Sequence, residues 1–436
     1  MFCVLSTIRS KASTVCIAPM LCNVCVKIAS RFYDKPEKIF MFLVGVNMFR
    51  QTMKLRGLVL LVVLMLSVGL PYMYAYQRIW DAASKDEFFF GVTFGSETAE
   101  EARLLVDKVK DYTNLFVIDS WTLCTNETAL NEVCEYAAKA DLNFIVFFDW
   151  VSRIIYPWHQ TWLDTAKERW DDKFLGVYLF DEPGGNQIDK GEWNGEMAPL
   201  FENASDYSDA ANRFVNSVSS INSTLDVKRR SIPMFTSDYA LYWFDYLAGY
   251  DTVFAELGWN HSETQHIALG RGAANVQGKD WGAIIVWTYE NPPYLASGPQ
   301  TLQDMLTAYR SGAKYVVVFN YPKYPDTNPY GILTQEHFTA MEQFWTYIHA
   351  YPRNIFGKVG GQVAFVLPKD YGWGMRRVDD KIWGLWPADE KAQSIWENMN
   401  KLITKYGLEL DIIYDDSRFD YKEKYSKVYF WNATID

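Results

Sequence analysis

Leu175-Gly-Val-Tyr-Leu-Phe180, closing on Asp181-Glu182-Pro183, is the stretch on which the reading of this chain turns. It is short, almost wholly apolar and β-branched or aromatic, so it suits a strand buried on both faces. It stops abruptly at two carboxylates and a proline, and a helical segment follows further along. A fully buried strand leading into a helix is half of a parallel βαβ unit.

The same unit recurs on both sides of it. The other apolar runs are Phe88–Phe94, Leu115–Asp119, Phe144–Phe148, Pro233–Thr236, Thr252–Ala255, Ala283–Trp287 and Tyr315–Phe319. Segments of helical period separate and follow them: Thr98–Lys110, Ala129–Ala140, Thr161–Trp170, Tyr207–Asn222, Ala240–Ala248, Glu263–Gln277, Leu302–Ser311 and Gln335–Ala350. Eight strand–helix units over about 265 residues match the size of a closed (β/α)8 barrel, the TIM barrel. A doubly wound open sheet is the alternative, but no glycine-rich dinucleotide turn follows the first strand. The α/β pattern restarts after Pro352 with Gln362–Leu367, Asp389–Tyr406, Leu408–Tyr414 and Lys427–Trp431. The expected organisation is therefore a catalytic barrel over 84–352 and a small C-terminal α/β domain over 353–436.

Charge divides the chain in another way. Of 436 residues, 42 are Lys or Arg and 53 are Asp or Glu, a net charge of -11, which argues against a nucleic-acid partner. Residues 1–56 carry nine bases and two acids, or +7, and the remaining 33 bases and 51 acids give -18. Between the blocks lies the uncharged apolar run Gly57–Leu70. A basic flank before such a run is a signal peptide or a signal anchor, so 53–76 is read as one of these, with the acidic body outside the cell or at its surface. The membrane is then touched only through this N-terminal segment. Met53-Lys-Leu-Arg56 makes a good start for it, which leaves 1–52 as a non-native or disordered extension, and Cys22-Asn-Val-Cys25 within it lacks the second pair a metal site would need. On the exported side Cys124 and Cys134 suggest a disulfide, with two buried thiols as the alternative, and five sequons (Asn126, Asn203, Asn222, Asn260, Asn432) permit glycosylation.

In a (β/α)8 barrel the site is built where the strands end. The runs here end in Asp119, Asp149-Trp150, Asp181-Glu182, Asp238, Glu256 with Trp259, Trp287 with Tyr289 and Glu290, and Tyr321. Carboxylates beside large aromatics have a chemical meaning. Glycosidic cleavage needs one carboxyl kept protonated and one kept ionised, while aromatic faces receive the C–H side of a sugar ring. The alternative is that the acids cap the next helix and the aromatics fill the core.

Gly176-Val-Tyr-Leu-Phe-Asp-Glu-Pro183 resembles the fourth strand of the clan A glycoside hydrolases, barrels in which an Asn-Glu-Pro or close variant carries the acid/base. The resemblance implies Glu182 as general acid/base and Glu290, after the seventh run, as nucleophile, with Glu256 on the sixth as rival. Asp181 stands where that clan usually has Asn. A barrel followed by a small α/β domain is also similar to the family 42 β-galactosidase arrangement. Asp119, Asp149, Asp181 and Asp238 would position hydroxyls, and Trp150, Trp259, Trp287, Tyr289 and Tyr321 would bind sugar. No cofactor is implied. An HExxH motif and a Gly-x-Ser-x-Gly elbow are both missing from the sequence, and Gly270-Arg-Gly272 is too short for a phosphate loop, although a divalent ion held by Asp119, Asp149 and Asp181 is an alternative. Sequence therefore points to an exported, two-carboxylate glycoside hydrolase of the retaining kind. The competing expectation is a cell-surface glycan-binding or structural barrel without turnover.

Overall fold

The computed structural model describes residues 87–148, 157–189, 201–322 and 328–435. The expected extension 1–52, the signal or anchor segment 53–76, and Asp149 and Trp150 lie outside the described residues. Among the described residues no helix is long and apolar enough to cross a membrane.

Eight strands close into a barrel in sequence order. The elements are β1 (Phe89–Phe94), α1 (Ala99–Val109), β2 (Leu115–Ile118), α2 (Trp121–Cys124), α3 (Glu127–Lys139), β3 (Asn143–Phe147), α4 (His159–Trp170), β4 (Phe174–Tyr178), α5 (Pro183–Asp189), α6 (Tyr207–Ser219), α7 (Asn222–Arg229) and β5 (Met234–Asp238). They continue with α8 (Tyr242–Ala248), β6 (Thr252–Leu257), α9 (Glu263–Gln277), β7 (Asp280–Ile285), α10 (Gly298–Arg310), β8 (Tyr315–Val318) and α11 (Gln335–Ala350). All neighbouring strands are parallel, and β8 pairs with β1 in the register Phe89↔Tyr315 to close the ring. The helices begin where the sequence supplies caps. Thr98 and Glu101 form a reciprocal capping box at α1, and Ser262 accepts from the Gln265 N–H at α9.

Strand parity sorts the core into two layers. Phe89, Leu115, Val117, Ile145, Tyr178, Phe235, Phe254, Ile284, Tyr315 and Val317 form one apolar cluster, while Phe90, Val92, Phe116, Ile118, Phe144 and Val253 belong to a second that also takes in the helices. Residues two apart on a strand share a face, so the first set fills the barrel and the second packs outward.

Beyond α12 (Arg353–Phe356) the chain adds β9 (Val363–Leu367), α13 (Glu390–Tyr406), β10 (Leu410–Tyr414) and β11 (Lys427–Phe430). The three strands make a parallel sheet in the order β10-β9-β11. Its apolar residues join the outer cluster of the barrel. A buried ion pair pins the two together. Arg271 of α9 donates from Nε to Asp411 Oδ1 at 2.7 Å, with the two side chains 2% and 0% exposed. The remaining Arg271 donors reach the carbonyls of Val359, Leu408 and Leu410, and Tyr425 and Asn275 donate to Asp411 Oδ2. With both ions fully hydrogen-bonded, the pair offsets its desolvation cost.

The Cys124–Cys134 disulfide expectation is corrected. Both are free, buried thiols, and burial holds each well above the usual thiol range. Cys124 Sγ is directed to the Ile118 carbonyl at 3.9 Å, and Cys134 is packed in the buried face of α3, so both serve as small apolar core residues.

Candidate active site

The inward parity of the strands carries on past their C-terminal ends and builds a cavity of about 400 Å3. Asp119 follows Leu115 and Val117; Ser237 follows Phe235; Glu256 follows Phe254; Val286 follows Ile284; Phe319 and Tyr321 follow Tyr315 and Val317. All of these line the cavity, together with Thr93, Tyr178, Asp181, Glu182, Trp259 and Trp287. Its floor is apolar and its acids converge from β2, β4 and β6.

Glu182 reaches the cavity through an unusual backbone. Phe180 has φ 55° and Glu182 has φ 49°, a left-handed conformation that costs a side-chain-bearing residue about 1–3 kcal/mol each. The surrounding structure holds it in place. The Glu182 N–H donates to the Ser237 carbonyl at 3.2 Å, and Thr236 Oγ1 donates to the Phe180 carbonyl. Asp238 accepts from four backbone N–H groups: Gly184 at 2.6 Å, Gly185 at 2.8 Å, Tyr239 at 2.8 Å and Ala240 at 3.0 Å. Gly185 has to be glycine, because a Cβ there would lie 2.1 Å from the Tyr239 ring. Asp238 is thus opposite in parity to Ser237, fully buried, and organises the turn after Glu182 instead of facing the cavity.

Glu182 and Glu256 both line the cavity, and the carboxyl of each acts on the titration of the other. Two of their oxygens, Glu182 Oε2 and Glu256 Oε2, are buried with no donor from another side chain. Two ionised carboxylates side by side in a buried site would repel, which favours a protonated state of the pair. Burial first, then Glu256 and Asp181, push Glu182 well above the usual carboxylate range. Burial likewise raises Glu256 to about 8, although Glu182 and a hydrogen bond from Ser237 Oγ at 2.8 Å favour the ionised form. Asp181 is also raised by burial, and it accepts from the Tyr178 hydroxyl at 2.6 Å, which lowers it. The pair therefore keeps at least one proton through neutral pH.

Behind this pair is another. Asp245 on α8 is fully buried, both its oxygens lack a hydrogen-bond partner, and burial first and then the Asp238 charge hold it well above the usual range.

Of the residues singled out in the sequence, the cavity brings together Asp119, Asp181, Glu182, Glu256, Trp259, Trp287 and Tyr321. Glu290 and Tyr289 are exposed on the loop beyond β7 and do not line it. The expected nucleophile is thus displaced from the site, because β7 ends at Ile285 and the chain turns outward before Glu290. Tyr178, Ser237 and Thr93 went unrecognised. Counting parity from Phe235 would have selected Ser237 over Asp238. Trp259 and Trp287 rings lie 6.0 Å apart, and Tyr321 stacks on Phe319 at 6.3 Å and 8°, so the aromatic wall is prearranged. Among the described residues no three His, Cys, Asp or Glu side chains converge as metal ligands.

No protein-family model matches the chain, and no curated protein does. Solved structures similar to it include an endo-1,4-beta-xylanase from Caldicellulosiruptor owensensis, at 12% identity over 60% of this chain and 98% of that one, with a TM-score of 0.39. A psychrophilic glycoside hydrolase family 10 endo-beta-1,4-xylanase is 10% identical over 60% of this chain and 98% of that one, with a TM-score of 0.37. A truncated 3-deoxy-D-arabino-heptulosonate 7-phosphate synthase from Thermotoga maritima is 9% identical over 63% and 90%, with a TM-score of 0.35. None of these likenesses assigns a reaction, which has to be argued from the site.

Proposed function

We propose that this chain is an exported glycoside hydrolase of the retaining kind, with Glu182 as acid/base and Glu256 as nucleophile. The observation that carries the reading is the pair of buried carboxyls, Glu182 and Glu256, on one aromatic-walled cavity. Export rests on the basic, apolar N-terminal segment ahead of an acidic body.

A double displacement works with its two carboxyls roughly 5–5.5 Å apart. The glycosidic oxygen accepts the Glu182 proton. As the anomeric C–O bond breaks, its electron pair stays with the leaving oxygen, which takes the proton. Glu256, once ionised, bonds through a carboxylate oxygen to the anomeric carbon; burial raises its titration to about 8, so this form grows as pH rises toward that value. Glu182, now ionised, takes a proton from water; the water oxygen attacks the same carbon and releases Glu256. Tyr178 and Ser237 hold Asp181 and Glu256 for these steps, and Trp259, Trp287 and Tyr321 offer flat faces to the ring.

A barrel that only binds glycans needs no proton held at such cost in a buried site. Leaving-group dependence separates the two readings. Glu182→Gln is expected to abolish hydrolysis of alkyl glycosides and oligosaccharides while sparing the first-turnover burst of dinitrophenol from dinitrophenyl glycosides, whose leaving group needs no acid. Equal loss on both classes would contradict the role of Glu182.

A further inference from the structure

The turn that carries Glu182 runs directly into α5, and the far end of α5 is gripped by the C-terminal segment. Arg376 pairs with Asp189 in a two-pronged contact, Nη1 to Oδ2 at 2.7 Å and Nη2 to Oδ1 at 2.8 Å. Its other edge is held by Asp380, from Nε to Oδ2 at 2.9 Å and from Nη2 to Oδ1 at 2.9 Å. Arg376 is 14% exposed and Asp380 3%, so neither is a surface ion. The guanidinium also covers the Tyr239 ring at 5.3 Å, and the Tyr239 hydroxyl donates to Asp189 Oδ2 at 2.7 Å. That same ring is pressed against Gly185, three residues from Glu182.

Two further contacts come from the same segment. Gln187 in the middle of α5 donates to the Trp383 carbonyl at 3.0 Å. Gly384, with φ 68°, approaches so closely that a Cβ would lie 2.2 Å from the Gln187 carbonyl oxygen. Residues 376–384 therefore close over α5 opposite Tyr239, and none of these residues lines the cavity.

We propose that Arg376 is a positioning residue: the C-terminal segment, through Arg376, Asp189 and α5, holds the left-handed turn at Glu182 in its working geometry. The proposal deepens the hydrolase reading and rests on it for what that geometry is used for. The strain at Phe180 and Glu182 persists only while the neighbouring structure over-determines it. Asp238 supplies the near anchor of α5 and Arg376 the far one. The paired guanidinium fork fits a carboxylate in a way a lysine cannot reproduce.

The test reads the carboxyls without any substrate, so that it stands even if no glycan is cleaved. Carbon-13 NMR titration of labelled glutamate side chains, with Glu182 assigned from Glu182→Gln, follows the pair directly. The charged and titratable groups facing Glu182 are Glu256, Asp181 and Asp238; those facing Arg376 are Asp189, Asp380, His261 and His266. Loosening α5 admits water to the pair, so Arg376→Ala and Asp189→Asn are each expected to lower the Glu182 titration by about one pH unit or more. Arg376→Lys should fall between them and wild type, and Arg377→Ala, exposed and next along the chain, should leave it unchanged. On any glycan that is hydrolysed, kcat should fall up to about 100-fold with KM little changed. A folded Arg376→Ala with a wild-type titration overturns the proposal. If Arg376→Ala does not fold, Asp189→Asn and Gly384→Ala decide it by the same measurement, and a titration unmoved in both overturns it.

Discussion

Ser237 Oγ donates to Glu256 Oε1 at 2.8 Å in the barrel mouth, on the same cavity as the buried carboxyl of Glu182. One carboxyl comes from the end of β4 and the other from β6, so the pair exists only when the barrel is closed.

A pH dependence of stability follows. Glu256 takes up its proton at about 8 when folded and near 4.5 as a free carboxyl, so between these values the native state binds the extra proton. Stability attributed to it is present below about pH 4.5 and is lost as pH rises toward 8, by up to about 1.4 kcal/mol per pH unit. Asp238, raised to about 7, acts in the same sense. Urea unfolding across pH 4–9 should show this decline in wild type, and a shallower one in Glu256→Gln. A stability that instead increases across that range would sink the assignment.

The barrel was legible because β strands buried on both faces read as unbroken apolar runs, and all eight runs lie where strands form. Glu182 was legible from the abrupt end of Leu175–Phe180 in two acids and a proline. The choice of its partner was left open. The clan A resemblance favoured Glu290, with Glu256 on the sixth run as its rival, and the closed barrel places Glu256 on the cavity and leaves Glu290 outside it. The left-handed turn at Phe180 and Glu182 left no mark in the sequence either, since neither residue is one that prefers that conformation.

Glu290→Gln should accordingly keep most of the wild-type activity, while Glu256→Gln should lose it by a factor of about 1,000 or more, as expected when a group acting only in the transition state is removed. Initial rates on one hydrolysed glycan decide between them. The reverse order would restore the β7 residue as nucleophile.

Cys124 and Cys134 should behave as core thiols. Alkylation under denaturing conditions without reductant should label both, native protein should react slowly with thiol reagents, and reductant should leave the melting temperature unchanged. A mass two units short of the reduced chain, with no labelling at either position, would show a disulfide after all.

Asp411→Asn should destabilise the protein by about 3–5 kcal/mol, because it leaves Arg271 buried without its counter-ion. The Arg271→Met, Asp411→Leu double variant should recover much of that loss. Chemical denaturation measures both, and a neutral single variant would mean the pair is not as dry as its 2% and 0% exposures indicate.

The most direct test is hydrolysis of a panel of oligosaccharides and aryl glycosides by wild type and by Glu182→Gln. The account predicts turnover of at least one glycan by wild type, with release of the same anomer as the substrate, and loss of oligosaccharide cleavage in Glu182→Gln. Cleavage by Glu182→Gln at the wild-type rate would contradict it.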